Sequence, residues 1–135
     1  MEGKRFITHL AAGLIFPAVL EILQTAAQRS YENAWTTFLI FLSMHPHSIR
    51  NYVKSVLERR REEIEKAAKK EIEDMYGASL EELLEDEKRG LLTGARRTWI
   101  ETRSKHLLLV GMEALADAWE KHGLVWFSGS AVIMP

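Results

Sequence analysis

The segment 107-LLLVGMEALADAW-119 decides the fold class of this chain, because its only charged residues are Glu113 and Asp117. It belongs to a helix that the sequence predicts from about Thr93 to His122, ended by Gly123. A helix that is apolar over most of its circumference must be covered on several sides. The segment therefore predicts an all-α fold in which other helices surround it.

A second apolar helix is predicted near the N-terminus, from about Gly3 to Gln28. Its Leu10–Leu23 portion has Glu21 as the main polar exception, so this helix also needs cover, from its own domain or from a neighbouring subunit. Pro17 lacks a backbone N–H and clashes with the preceding turn, so we expect the helix to be kinked or divided there. The apolar run is shorter than the roughly 20 residues that cross a bilayer, and no transmembrane segment is expected.

Local signals place further helices between these two. Ser30 is a candidate N-cap for the second helix. Gly77 fits a left-handed C-cap that ends a long third helix, and Ser79 and Glu82 form a capping box that starts a short acidic one. The sequence thus predicts a bundle of about five helices in residues 1–123. Their approximate bounds are 3–28, 31–43, 48–76, 80–89 and 93–122.

The residues after Gly123 show a different pattern. Two apolar runs, Leu124–Phe127 and Ala131–Met134, flank the turn-forming Ser128-Gly129-Ser130. This pattern predicts a short extended or β-hairpin arm over residues 124–135. A small monomer rarely exposes such a patch, so the arm either folds back over the bundle or inserts into a neighbouring subunit. The predicted interface residues are Leu124, Val125, Trp126, Phe127, Val132 and Ile133.

Composition excludes several classes of site. The chain has 135 residues and a net charge of −1, which suits one domain without overall basic character. It contains no cysteine, which excludes disulfides, cysteine-ligated zinc, iron–sulfur clusters and thiol nucleophiles. Asn and Gln are sparse while Glu, Lys and Arg dominate the polar residues, a profile that favours a thermophilic source.

One group of polar residues could support acid–base catalysis. His106, Glu113, Asp117 and Glu120 share one edge of the last helix. The favoured alternative is that they form the solvent-facing stripe of an otherwise apolar helix. No segment has the Glu-x-x-His pattern of di-iron proteins, and the run 45-HPH-47 is interpreted as an ordinary loop. We therefore expect no enzyme activity, no metal and no cofactor.

Six basic residues form the predicted nucleic-acid-binding set. Three lie in one narrow arc of the third predicted helix, a fourth lies within its apolar stripe, and two lie two turns apart on the last helix. Arginines that continue a buried stripe need carboxylate or phosphate partners. Two interpretations stay open: pairing with the chain's own glutamates, or sequence-independent contact with the phosphates of DNA or RNA. The set comprises Arg50, Lys54, Arg61, Arg60, Arg96 and Arg103.

Several features together point to a known family. They are the chain length, the apolar first helix interrupted at Pro17, the long third helix carrying Arg59-Arg60-Arg61, and the apolar C-terminal end. In these the chain resembles the small all-helical major capsid proteins of filamentous archaeal viruses. The resemblance implies subunits that pack into a filament around A-form DNA, with arginines and lysines on its phosphates. The acidic segment Glu81–Glu87 departs from such a surface and would have to face outwards or meet another subunit.

These patterns predict a non-enzymatic structural subunit that assembles as a homo- or hetero-oligomer, and the family resemblance implies that the assembly is the coat of a virion around nucleic acid. Two alternatives stay open. One is a helical accessory subunit of a nucleoprotein complex, similar to the small subunit of a CRISPR effector. The other is an enzyme that uses His106, Glu113 and Asp117. The coat protein would be located in the virion, and otherwise we expect a cytoplasmic location.

Overall fold

The computed structural model describes residues 16–121, with side chains from residue 19 onwards, and the backbone of residues 129–130 and 133–134. This part of the chain forms six α-helices and two very short strands. The helices are α1 (Phe16–Gln28), α2 (Tyr31–Ser43), α3 (His47–Arg59), α4 (Arg61–Tyr76), α5 (Leu80–Lys88) and α6 (Ala95–Lys121). The strands are β1 (Gly129–Ser130) and β2 (Ile133–Met134).

Helix α6 is the central element of the bundle. Helices α2, α3, α4 and α5 all pack against it, while α1 packs on α2. Viewed down the axis of α6, the buried residues of its second half form an arc that begins at Ala114 and ends at Ala116. This arc covers more than half of the helix circumference. The predicted all-α bundle is therefore confirmed, and the apolar segment 107–119 is covered from several sides as its sequence requires.

Two clusters of buried side chains hold the helices together. The main cluster joins α1, α2, α3 and the second half of α6, and it includes the fully buried Trp119, Phe38 and Ile49. Burial of each such side chain contributes about 1.5–3 kcal/mol. A smaller cluster built around Ile72 and Leu83 joins α4 and α5 to the start of α6.

The third predicted helix, at residues 48–76, is two helices, and this explains why the described part of the chain has six helices rather than about five. Helices α3 and α4 are separated at Arg60, which has φ −100° and ψ 11°. The buried stripe of α3 ends at Val56 and that of α4 begins at Ile64. On one straight helix, at 100° per residue, the centre of the second stripe (Ile64, Ala68 and Ile72) would lie about 90° around the axis from the centre of the first (Ile49, Val53 and Val56), so the two stripes would not face α6 together. The break allows both helices to pack on α6.

The predicted signals at the helix ends are confirmed. Ser30 caps α2, since its hydroxyl accepts from the N–H of Asn33 at 3.0 Å. Ser79 and Glu82 form the capping box of α5. Gly77 ends α4 with a φ of 73°, in the left-handed region that favours glycine. These signals act between residues close in sequence, which is why they can be recognised without the tertiary structure.

Glutamates from neighbouring helices hold three helix starts. Glu101 of α6 accepts from the N–H of Tyr31 at 2.7 Å, at the start of α2. Glu73 of α4 does the same for the N–H of Leu80 at 2.7 Å, at the start of α5. Glu87 of α5 accepts a backbone N–H at the start of α6. Each carboxylate satisfies an N–H without a partner in its own helix and lies favourably at the positive end of the helix dipole. Part of the acidic composition is therefore structural.

The N-terminal prediction is only partly within the described residues. Pro17 is the second residue of helix α1 as described. Residues 1–15 lie outside the described part, so the kink or division of the helix at Pro17 stays a prediction. Among the helices that are described, none is both long and apolar enough to cross a membrane.

The predicted arm is also described only in part. Strands β1 and β2 pair in parallel, whereas a hairpin joins antiparallel strands, so the β-hairpin form of the arm is not present in the described residues. Residues 122–128, 131–132 and 135 lie outside the described part, as do the side chains of all six predicted interface residues. The extended form of the arm stays a prediction.

Gly111 marks the close approach of α2 to α6. A Cβ atom at Gly111 would lie 2.9 Å from Cε2 of Phe38 and 3.2 Å from Cζ3 of Trp35. We expect Gly111→Ala to destabilise the protein by about 1–3 kcal/mol through overpacking, although alanine favours helix formation by about 1 kcal/mol. Urea unfolding followed by circular dichroism measures the effect. The double variant with Phe38→Leu should lose less stability than the sum of the single variants, and a Gly111→Ala variant more stable than the parent would contradict the close approach.

Candidate functional site

A row of ion pairs, here called the seam, joins α4 to the first half of α6. Arg103 pairs with Glu65, while Lys105 and His106 both contact Glu71, at 2.5 and 2.7 Å. All five side chains are partly buried. The hydrogen bond from Lys105, followed by that from His106, holds the pKa of Glu71 below its usual value. The seam is therefore a charged contact between two helices of the same chain.

The seam gives internal partners to two residues that the sequence placed in functional sets. Arg103 belongs to the predicted nucleic-acid-binding set, and the structure pairs it with Glu65. His106 belongs to the predicted acid–base row, and the structure pairs it with Glu71. Two interpretations of the basic set were left open, pairing with the chain's own glutamates and contact with phosphates. For Arg103 the structure shows a glutamate partner.

A pocket of about 150 Å³ lies between α3 and α6. Glu113 and Asp117 line it from α6, and Arg59 and Arg60 line it from the junction of α3 and α4. The hydroxyl of Tyr52 donates a hydrogen bond to Asp117 at 2.5 Å. The pocket thus brings guanidinium and carboxylate groups together on a partly buried surface.

The acid–base row is divided between the seam and the pocket. His106 contacts α4 and is not among the pocket residues, whereas Glu113 and Asp117 line the pocket towards α3. Glu120 is exposed near the end of α6. The structure therefore does not gather the row into one constellation. Among the described residues, no group of three or more His, Asp or Glu side chains could hold a metal ion.

Two more residues of the basic set have acidic partners close by in sequence. Arg60 contacts Glu63 at 3.0 Å, and Arg61 contacts Glu58 at 3.5 Å. Both contacts join residues three positions apart at the surface, where water and salt screen the attraction, so each pair is weak. Such weak pairs could exchange for other anionic partners.

The other three basic residues lack an acidic side chain within ion-pair distance in the part of the chain that is described. Lys54 is exposed on α3, one turn after Arg50. The Nε atom of Arg50 is buried and makes no hydrogen bond with any described residue. Arg96 lines a shallow groove that also contains Glu81 and Glu87, far along the chain from α3. Arg50 and Lys54 thus lie together on α3, whereas Arg96 lies at the start of α6 beside α5.

The outer side of α2 is a surface that the sequence analysis did not single out. Leu39, Ile40 and Met44 are 41%, 60% and 76% exposed, and we call these three residues the α2 outer face. Helix α2 contains a single charged residue, Glu32, which pairs with Arg97 of α6. A signal was present in the run of apolar residues 38–42, because five consecutive helical positions cannot all point into one core.

Comparison with protein-family models, with curated proteins and with solved structures finds no match for this chain. Its function is therefore inferred from its own surfaces and contacts.

The seam should make stability depend on acid pH. The folded-state pKa of Glu71 is depressed, so its contribution is present above the usual glutamate pKa and is lost as pH falls through the folded value. We expect Glu71→Gln to lower stability at neutral pH by about 1 kcal/mol or less, since the site is partly exposed. The variant should also lose less stability than the parent between neutral and acid pH. Urea unfolding at several pH values measures both.

The matched control for this prediction is Asp74→Asn. Asp74 pairs with Lys70 at 3.0 Å, but within one helix and on an exposed surface. The Asp74→Asn substitution should therefore change the pH profile of unfolding very little. Equal effects of the two substitutions would show that the seam contributes no more than an ordinary surface pair.

Proposed function

We propose that this protein is a non-enzymatic structural subunit that assembles with copies of itself, and that the α2 outer face is the centre of the contact. The exposure of Ile40 and Met44 carries the proposal. Single apolar side chains on a surface are normal, but adjacent ones on a face with little charge are typical of a contact surface. Interface centres are depleted in charge and enriched in residues such as Met.

A second copy of the chain fits this face better than a charged partner does. In a two-fold contact the same patch meets itself, so any charge on it would meet a like charge. The exposed positions around Ile40 are Thr36, Leu39 and Ser43 of α2 and Met44 directly after it, all of them uncharged. The face can therefore contact its own copy without electrostatic repulsion.

The size of the face indicates that further surface takes part. A stable interface covers about 800 Å² on each partner, which is more than three side chains supply. We propose that the arm at residues 124–135 adds the missing area by inserting into a neighbouring subunit. The assembly that the family resemblance implies is a virion coat around nucleic acid, and this is the form we propose. The same proposal assigns no catalytic role to His106, Glu113 or Asp117.

Charge on the α2 outer face should prevent assembly. We expect Ile40→Lys and Met44→Lys to shift the protein towards the monomer, because each places an ammonium group in the apolar contact, where it meets the like charge of the second copy. Sedimentation velocity over a range of protein concentrations measures this, and removal of residues 124–135 should weaken assembly further. The control is Met75→Lys on α4, where the side chain is 59% exposed, close to the 60% of Ile40. A parent protein that is monomeric at every concentration, or an equal effect of Met75→Lys, would refute the proposal.

A specific observation favours a second function, contact with nucleic-acid phosphates through α3. The buried Nε of Arg50 makes no hydrogen bond with the described residues, and Lys54 is exposed one turn away. Arg50 is only partly buried, so a phosphate oxygen would accept from the part of its guanidinium that reaches the surface, for which no described residue supplies an acceptor. The same contact would suit a coat subunit and an accessory subunit of a nucleoprotein complex.

Binding to DNA and RNA duplexes tests this second function. We expect binding that weakens with salt, and a smaller salt slope when Arg50 and Lys54 are both replaced by Ala, by about 0.9 for each phosphate that the variant no longer neutralises. Fluorescence anisotropy at several salt concentrations measures the slope. Lys70→Ala is the control, because Lys70 already pairs with Asp74. An unchanged slope in the Arg50 and Lys54 variant would exclude α3 as the phosphate-binding surface.

A further inference from the structure

His45 lies in the short turn between α2 and α3, and both of its ring nitrogens have partners. Nδ1 lies 3.1 Å from the carbonyl oxygen of Phe41, and Nε2 lies 3.1 Å from Nε1 of Trp119 in α6. A carbonyl can only accept and an indole N–H can only donate. The two partners therefore require a neutral ring with its proton on Nδ1 and a lone pair on Nε2.

The ring of His45 also packs between two aromatic side chains. It meets Phe41 edge-on, with ring centroids 4.8 Å apart, and lies nearly parallel to Trp119 at 6.0 Å. The side chain of Trp119 is fully buried in the main core. His45 thus fastens the turn after α2 to the most deeply buried aromatic residue of α6.

The surroundings of His45 disfavour a positive charge. Burial lowers its pKa, and the hydrogen bond to the carbonyl of Phe41 offsets only part of this effect. No charged group of the described residues contributes to the pKa. His47 is bonded to Asn51, and Asp117 accepts from Tyr52. The titratable or charged groups on the adjoining segments of α3 and α6 are His47, Arg50, Asp117, Glu120 and Lys121.

Protonation of His45 has a specific structural consequence. An imidazolium ring has two N–H donors and no acceptor, so its Nε2–H would face the Nε1–H of Trp119. Rotation of the ring does not restore the bond, because either nitrogen would then present a donor. The indole N–H of Trp119 would lose this acceptor and meet a donor in its place, which is unfavourable at a buried position. Movement of the turn away from α6 relieves both the donor–donor contact and the burial of the charge.

We propose that the turn between α2 and α3 is a pH-operated latch, in which protonation of His45 breaks its hydrogen bond with Trp119 and releases the turn from α6. The latch is closed at neutral pH and opens in acid. An exposed histidine titrates at about 6.5, and burial lowers the pKa of His45 below its ordinary value when the latch is closed. Its contribution to stability is therefore present above pH 6.5 and lost as pH falls through the closed-state pKa. This inference does not depend on the proposed assembly.

NMR spectroscopy of the full chain between pH 8 and pH 5 tests the latch. The His45 ring protons and the indole N–H of Trp119 report on the two sides of the hydrogen bond. We expect both to change with one midpoint below 6.5, and the Trp119 indole to exchange faster with water in acid. For each pH unit between 6.5 and that midpoint, the equilibrium between open and closed latch should shift about tenfold in favour of the open form.

Two substitutions show whether the transition belongs to His45 or to the neighbouring His47. His45→Gln keeps a group that can accept from Trp119 and does not titrate, so the Trp119 transition should disappear. His47→Gln changes a neighbouring exposed histidine bonded to Asn51, and it should leave the transition in place. A transition that persists in His45→Gln overturns the latch. If that variant does not fold, the parent protein and His47→Gln decide, because a Trp119 signal that stays constant through the His45 titration overturns it equally.

Discussion

An apolar helix such as the second half of α6 is unfavourable in water, and most of this architecture follows from covering it. Small residues such as Gly111 and Ala114 allow neighbouring helices to approach its axis closely, and Trp119 and Phe38 fill the space that remains. The side of α6 that stays less buried carries the polar groups, which meet polar partners on α3 and α4. Helix α6 therefore determines both where its neighbours lie and which of their residues face it.

The charges of the chain serve this packing to a large extent. Glutamates hold the starts of α2, α5 and α6, and others form the seam with Arg103 and Lys105. These internal contacts reduce the part of the charged composition that is available to partners. The surfaces of the described residues that stand apart from this network include the uncharged α2 outer face and the pair Arg50 and Lys54 on α3. The proposed assembly and phosphate contacts rest on these two surfaces.

The candidate sites differ in how far the sequence alone could predict them. The basic set was recognisable, but the division into paired and unpaired members depends on which glutamate lies opposite each residue. Glu65, for example, is 38 residues from Arg103 in the chain. The α2 outer face could have been recognised from the apolar run 38–42. The role of His45 could not, since its partner Trp119 is 74 residues away and the local sequence indicates only a loop.

The sequence by itself determined the all-α class, the helix ends at Ser30, Gly77 and Ser79, and the need to cover segment 107–119. These features depend on side-chain periodicity and on hydrogen bonds between residues a few positions apart, so they do not require knowledge of the fold. Only the tertiary structure decided the break at Arg60, the separation of His106 from Asp117, and the neutral state of His45. Each of these features depends on a contact between helices that are far apart in the sequence. The packing of the whole core sets the direction in which those helices meet.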